Sequence, residues 1–192
     1  MTNSFSRIEV FRKYLDTRNL SDPIRSVVEL LTSDVFSSDN FDRLVATEVQ
    51  PINLDIRENL LDLILVFARR CVDDHRLAGE EIYELENIAM IFRINKSDFR
   101  RLRSNAVNEI IYAQAVWILE DDYVTEKEEI LQNDLQRLFG FSYDQYVSFL
   151  RPFAKQQIKR LEGRRMANDD RQELNLIEAS IQNLRSVFLV RQ

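Results

Sequence analysis

Glycine and proline are scarce in this chain, with 3 of each among 192 residues. A β-sandwich needs far more turn residues, and the Gly-rich loops of nucleotide-binding α/β folds can hardly be assembled from so few. The shortage points to helices. Cysteine and histidine occur once each, as Cys71 and His75, which excludes an internal disulfide and any Cys/His-rich zinc site. An unpaired thiol fits a reducing compartment. Long apolar runs are missing as well. The longest, Leu60 to Ala68, contains Asp62 and is followed by Arg69 and Arg70, well short of the ~20 residues that cross a bilayer. Met1 to Leu15 mixes Arg7, Glu9, Arg12 and Lys13 with its apolar residues, so no secretory signal is read there and a cytoplasmic location is expected.

What the chain does have is the balance of a protein that folds in water: 45% hydrophobic and 30% charged residues. Its length suits one domain with attached helices. A net charge of -6 with a pI near 5.0 argues against wrapping on a phosphate backbone, so nucleic acid is not an expected partner.

Helical spacing of Ile8, Phe11, Tyr14 and Leu15 predicts a first short helix, and Ser21-Asp22-Pro23 caps a second over Ile24 to Leu31. Phe41 to Val49 predicts a third, ended by Pro51. Residues 1–53 therefore read as an N-terminal helical segment packing on the core. From Asp55 to Val72, Ile56, Leu60, Leu63, Ile64, Phe67, Ala68 and Cys71 share one face of a core helix. Cys71 is then a core residue.

The most informative feature is an internal repeat without gaps. Asp74 meets Asp121, Leu77 meets Val124, Glu81 meets Glu128, Ile88 meets Leu135, Ile91 meets Leu138 and Phe92 meets Phe139, all at an offset of 47 residues. Each copy reads as helix, acidic turn, helix, with Leu77 or Val124 turned inward. Polar breaks follow, Asn95-Lys96-Ser97-Asp98 and Ser142-Tyr143-Asp144, each able to cap another helix. The helix from Phe99 to Leu119 bridges the copies, and its Trp117 and Tyr112 read as core and half-buried packing.

These residues resemble the tellurite-resistance TerB-like domains. The resemblance rests on an apolar helix, a turn of the Asp-Gly-x-Ile-x-x-x-Glu type and a helix ending in a Leu-Gly-Leu-Ser type stop, all occurring twice. Here the copies are Val72-Asp73-Asp74-His75-Arg76-Leu77 with Glu81 and the stop Phe92-Arg93-Ile94-Asn95, and Leu119-Glu120-Asp121-Asp122-Tyr123-Val124 with Glu128 and the stop Phe139-Gly140-Phe141-Ser142. The glycine of the turn is replaced by His75 and Asp122, residue types that tolerate the left-handed conformation. The resemblance covers about residues 54–150. It implies an all-α helical bundle built around a duplicated helix–acidic turn–helix unit. It also implies a non-enzymatic, acidic module that binds a divalent cation such as Ca²⁺ or Mg²⁺ and works in a bacterial stress, toxicant or defence response assembly. The matching positions are Asp74, Glu81, Asp121 and Glu128.

Clustered carboxylates suit hard cations, yet neither turn is an EF-hand: a twelve-residue loop from Asp121 ends on Gln132, where a bidentate Glu is required. A second reading stands beside the cation. Thr125-Glu126-Lys127-Glu128 is a capping box, and Glu81 occupies the equivalent place at a helix start. His75 reads as a turn residue.

Catalysis finds little support, since Cys71 and His75 form no nucleophilic constellation; a carboxylate-based hydrolase is the one residual enzyme class. In residues 151–192, Arg151, Lys155, Lys159, Arg160, Arg164 and Arg165 make a basic stripe on a helix expected to start near Pro152. A solvated face paired with the protein's own acids is the simpler reading, with an anionic membrane surface or nucleic acid as the alternative. After Asn168-Asp169-Asp170, the last helix carries Leu174, Ile177, Ile181, Leu184 and Phe188 at 3-4 spacing. This face either folds back on the domain or docks a protein partner or a second copy. The second option defines a competing function, a metal-independent adaptor or oligomerisation subunit.

Overall fold

Serine and asparagine side chains cap three of the first four helices, and a proline opens the other. In the computed structural model, which describes residues 6–49, 52–73, 79–119, 122, 124, 125 and 134–189, Ser6 and Glu9 form a reciprocal capping box at the head of α1 (Arg7–Thr17). Pro23 opens α2 (Asp22–Leu31), and Ser37 caps α3 (Ser38–Leu44), which runs on into a π-helical turn, Val45–Val49. The Asn53 carboxamide accepts from the Ile56 N–H at 2.9 Å and so starts α4 (Leu54–Asp73). Then come α5 (Gly79–Ile91), α6 (Lys96–Ile118), a helical stretch over residues 134–139 (α7), α8 (Tyr143–Met166) and α9 (Arg171–Phe188). Among the described residues there is no strand, and the fold is an all-α helical bundle. No described helix is long and apolar enough to cross a membrane.

The chain forms two compact units, Met1–Ile110 and Ile111–Gln192. The chain passes from the first unit into the second along α6, which is kinked at Arg103 (φ -139°, ψ 34°). It is at once the last helix of copy one and the first helix of copy two. In the first unit α1 and α2 pack on α4, with the rings of Phe11 and Phe67 6.0 Å apart. Arg7 ties α1 to α5 through Glu84 at 2.9 Å and lies 4.6 Å over the Phe36 ring. In the second unit α9 packs on α8. Cys71 is fully buried, as its helical phase predicts.

The repeat has a physical counterpart at the end of each copy. Arg93 and Gly140, 47 residues apart, both adopt positive φ, 53° and 68°. Beyond them the Ile94 N–H donates to the Ala89 carbonyl at 2.9 Å, and the Phe141 N–H to the Gln136 carbonyl at 3.0 Å. Both are the 6→1 closure of a helix that stops on a left-handed residue. Next, the Asp98 carboxylate accepts from the Asn95 N–H at 3.0 Å, and the Gln145 carbonyl oxygen from the Ser142 N–H, also at 3.0 Å. Stop and restart therefore repeat atom for atom, although Arg stands where Gly does and Asp where Gln does. Burial repeats too: Leu60 with Val107, Ile64 with Ile111, Ala68 with Ala115, Phe92 with Phe139 and Phe99 with Tyr146 are all buried. One pair changes character. Phe67 and Phe99 of copy one correspond to Gln114 and Tyr146, whose buried side chains share a 3.0 Å hydrogen bond from the phenol to the carboxamide oxygen. Burial pushes the Tyr146 phenol far up, so it stays a donor throughout the neutral range.

Pro152 does not begin a helix. Ser142 and Gln145 form a capping box that starts α8 nine residues earlier, and Pro152 lies inside the helix on its exposed side. There the carbonyl that loses its donor can turn to water, which lowers the usual cost of an interior proline.

Candidate functional site

The acidic turns are the first place to look. Asp74, His75, Asp121 and Glu128 lie outside the described residues, as does the Leu77 half of the inward pair. Glu81 is described: it sits in the first turn of α5 and is 2% exposed. A carboxylate there faces the positive end of the helix, which is favourable whether or not a cation is present. Among the described residues no group of three or more metal-ligating side chains comes together.

Asp122 shows what the second turn does with its acid. Its backbone is left-handed, φ 67°, a conformation that glycine adopts most readily. Its carboxylate accepts from three side chains of α8: Gln157, Arg160 and Arg164, the last at 3.0 Å. Gln157 also donates to the Leu119 carbonyl at 2.9 Å, so a single amide holds the end of α6 and the turn together. Two residues on, Val124 is buried as expected of the inward residue. Both its backbone groups are taken by the Asn183 carboxamide of α9, at 2.8 and 3.1 Å. Asp122 is thus held by α8 and Val124 by α9.

This lock absorbs much of the basic stripe. Besides Asp122, Arg164 meets Glu173 at 3.2 Å, Arg165 meets Glu178 at 2.7 Å, and Arg151 donates to the Phe188 carbonyl at 3.4 Å. Hydrogen bonds from Gln182 and Arg165 hold the Glu178 carboxyl below its ordinary range. The stripe is thus largely paired with the protein's own acids; Lys155 and Lys159 remain exposed on α8. Because Asp122 supplies both a charge and an awkward backbone, two substitutions separate the effects. Asp122→Gly and Asp122→Ala both lose the arginine contacts, but only the alanine must also hold positive φ. Chemical denaturation should therefore find the alanine variant less stable than the glycine variant by about 1 kcal/mol.

The apolar face of α9 turns inward. Ile177, Ile181, Leu184 and Phe188 are buried, Leu174 is half-buried, and α8 covers them with Leu150, Ala154, Ile158 and Leu161. The face that could have docked a partner is occupied within the chain, because α8 offers a matching apolar stripe of the same length. Only Leu176, 64% exposed, points away.

Apolar groups face solvent elsewhere. Tyr112 and Val116 on α6 are 47% and 51% exposed, so Tyr112 is more open than the half-buried packing expected of it, and Trp117 is half-buried where a core position was expected. Beyond Arg103, the buried described residues of α6 are Val107, Ile110, Ile111, Gln114 and Ala115; Tyr112 and Val116, four apart, fall outside that stripe, and this phase was the readable signal. The Tyr112 ring lies 5.0 Å from that of Phe153 on α8, and Phe153 lies 6.1 Å from Phe149. Tyr112 of α6 and the half-buried Phe149 and Phe153 of α8 thus form one aromatic cluster, with Val116 one turn further along α6. In the first unit, Tyr83 and Met90 of α5 are 72% and 66% exposed.

Comparison with models of known families, with curated proteins and with solved structures finds no match for this chain.

Proposed function

We propose that this chain is a non-enzymatic, TerB-like binding module that acts as a metal-independent adaptor or oligomerisation subunit. The observation that supports this reading is the patch in which Tyr112 and Val116 are exposed beside the half-buried rings of Phe149 and Phe153, on a unit whose remaining apolar face is already used in its own core. Side chains of this size exposed in a contiguous patch mark interaction surfaces more often than isolated exposed residues do. The expected role in a stress, toxicant or defence response assembly belongs to this proposal through the resemblance. A photo-crosslinking amino acid at Tyr112, compared with the same group at Gln172 on the exposed side of α9, tests the reading in cells that express the protein. Protein adducts formed at residue 112 and not at 172 support it; none at either position overturns it.

A second reading is favoured by the buried carboxylate of Glu81: a divalent cation, Ca²⁺ or Mg²⁺, held with Asp74 at the first turn and by Asp121 and Glu128 at the second. Calorimetric titration of metal-stripped protein decides between the two. Saturable heat that vanishes in a still-folded Asp74→Ala plus Asp121→Ala variant makes the module cation-dependent. No heat at about millimolar metal, the weak end of protein Ca²⁺ sites, returns the acids to helix capping.

A further inference from the structure

We propose that the buried hydrogen bond between Gln114 and Tyr146 is the mark by which the two copies of the repeat are told apart as the chain folds, so that α8 closes copy two and does not take the place of α6 in copy one.

A repeat without gaps has an assembly problem. In copy one α6 meets α4, through Asp98 with Arg57 and Arg103 with Asp62; in copy two it meets α8, through Gln114 with Tyr146. The apolar stripes of the three helices match. Leu60, Ile64 and Ala68 of α4 stand 47 residues before Val107, Ile111 and Ala115 of α6, and Val107 and Ile111 stand 47 before Ala154 and Ile158 of α8, all of them buried. Apolar packing is non-directional and tolerates changes of shape, so these stripes choose weakly between α6 and α8 as the cover for α4. A buried hydrogen bond chooses strongly, because its cost appears when one partner is missing. With α8 against α4, Tyr146 would stand where Phe99 does, and the residue corresponding to Gln114 is Phe67, which offers no acceptor. Both Tyr146 and Gln114 are buried, so water cannot take the missing place. The α4 groups that meet α6, namely Arg57, Glu58 and Asp62, are only part-buried and keep contact with water whichever helix covers them.

The fold itself does not require the pair. Copy one fills the same two positions with Phe67 and Phe99, both buried, and replacing both partners of a buried hydrogen bond by apolar groups of the same shape is close to neutral. A polar pair kept in one copy, where apolar side chains serve in the other, selects the right neighbour and adds little strength.

Gln114→Met plus Tyr146→Phe removes the hydrogen bond and keeps both shapes. In urea unfolding of the full chain its midpoint should lie at or above the parent's. Refolded from urea, the parent should return the two-dimensional amide NMR spectrum of the never-unfolded protein, with one peak per amide. The double variant should return a second set of peaks from α6 and α8. Val107→Leu, which makes copy two more like copy one but leaves the hydrogen bond, should return a single set. A midpoint below the parent's for the double variant overturns the proposal, because the pair would then hold the fold by strength. A single set of peaks from the double variant overturns it too. So does a second set from Val107→Leu, which would trace the ambiguity to general likeness of the copies.

Discussion

Replacing Ile181 by aspartate is expected to cost the second unit about 4 kcal/mol or more. Ile181 is fully buried in the middle of the α8–α9 contact. The substitution removes a branched apolar side chain from a packed stripe and leaves a carboxylate with no donor in reach of water. Amide hydrogen exchange should show protection lost along both α8 and α9, because each helix buries its apolar face on the other. Leu176→Asp, on the opposite side of α9 where the side chain is 64% exposed, is the matched control and should stay within about 0.5 kcal/mol of the parent. If the Ile181 face were a docking surface, both substitutions would leave the free protein equally stable. Equal stability would therefore show that α9 is held loosely and would restore it as a partner-binding helix.

The same helix shows what a sequence can and cannot reveal. Its 3-4 apolar spacing and its Asp170 cap were readable, and the carboxylate does accept from the Gln172 and Glu173 N–H groups at 2.7 and 3.2 Å. What the spacing could not say is which surface receives the stripe, since a fold-back helix and a docking helix need the same pattern. The repeat was readable for a similar reason: the inward Val124 and the paired stops recur at fixed spacing, and spacing is what a sequence preserves. Arg93 was not readable as a left-handed residue. Nothing local marks it, and it is held from a distance, by Asp42 of α3, which accepts at 2.7 Å on both carboxylate oxygens, and by Arg57, which donates to its carbonyl at 3.2 Å. The Asp122 lock is similar. A turn acid was visible in the sequence, but its three donors lie 35 to 42 residues on, along α8. Long-range polar partners are chosen by packing, and periodicity carries no trace of them.

Asp98 shows such partners at their strongest and leads to the second large expected effect. Its side chain is 5% exposed and accepts from Arg57 at 2.6 Å, from Arg101 at 3.0 Å and from the Asn95 N–H at 3.0 Å. Burial by itself raises the carboxyl's pKa, but the hydrogen bonds from Arg57, the Asn95 backbone and Arg101 outweigh it and hold the group below its ordinary value of 3.8. Asp98→Ala removes the acceptor shared by Arg57, Arg101 and the Asn95 N–H and leaves Arg57 with the Arg93 carbonyl. A loss of about 3 kcal/mol is expected, at the low end for breaking a buried pair because Arg57 keeps partial access to water. Asp98→Asn should lose less, since the carboxamide oxygen can still cap Asn95. The pH dependence fixes the cause. A carboxyl whose pKa is depressed on folding stabilises fully above its unfolded value and gives up that stability as pH falls through the folded one. Urea midpoints of parent and Asp98→Asn should therefore differ by a constant amount from neutral pH down to about 5, and converge below about 4. A gap that persists in acid would mean that Asp98 acts by shape and hydrogen bonding alone. The reach-back at the second restart, made by the uncharged Gln145, should show no such convergence when Gln145 is replaced.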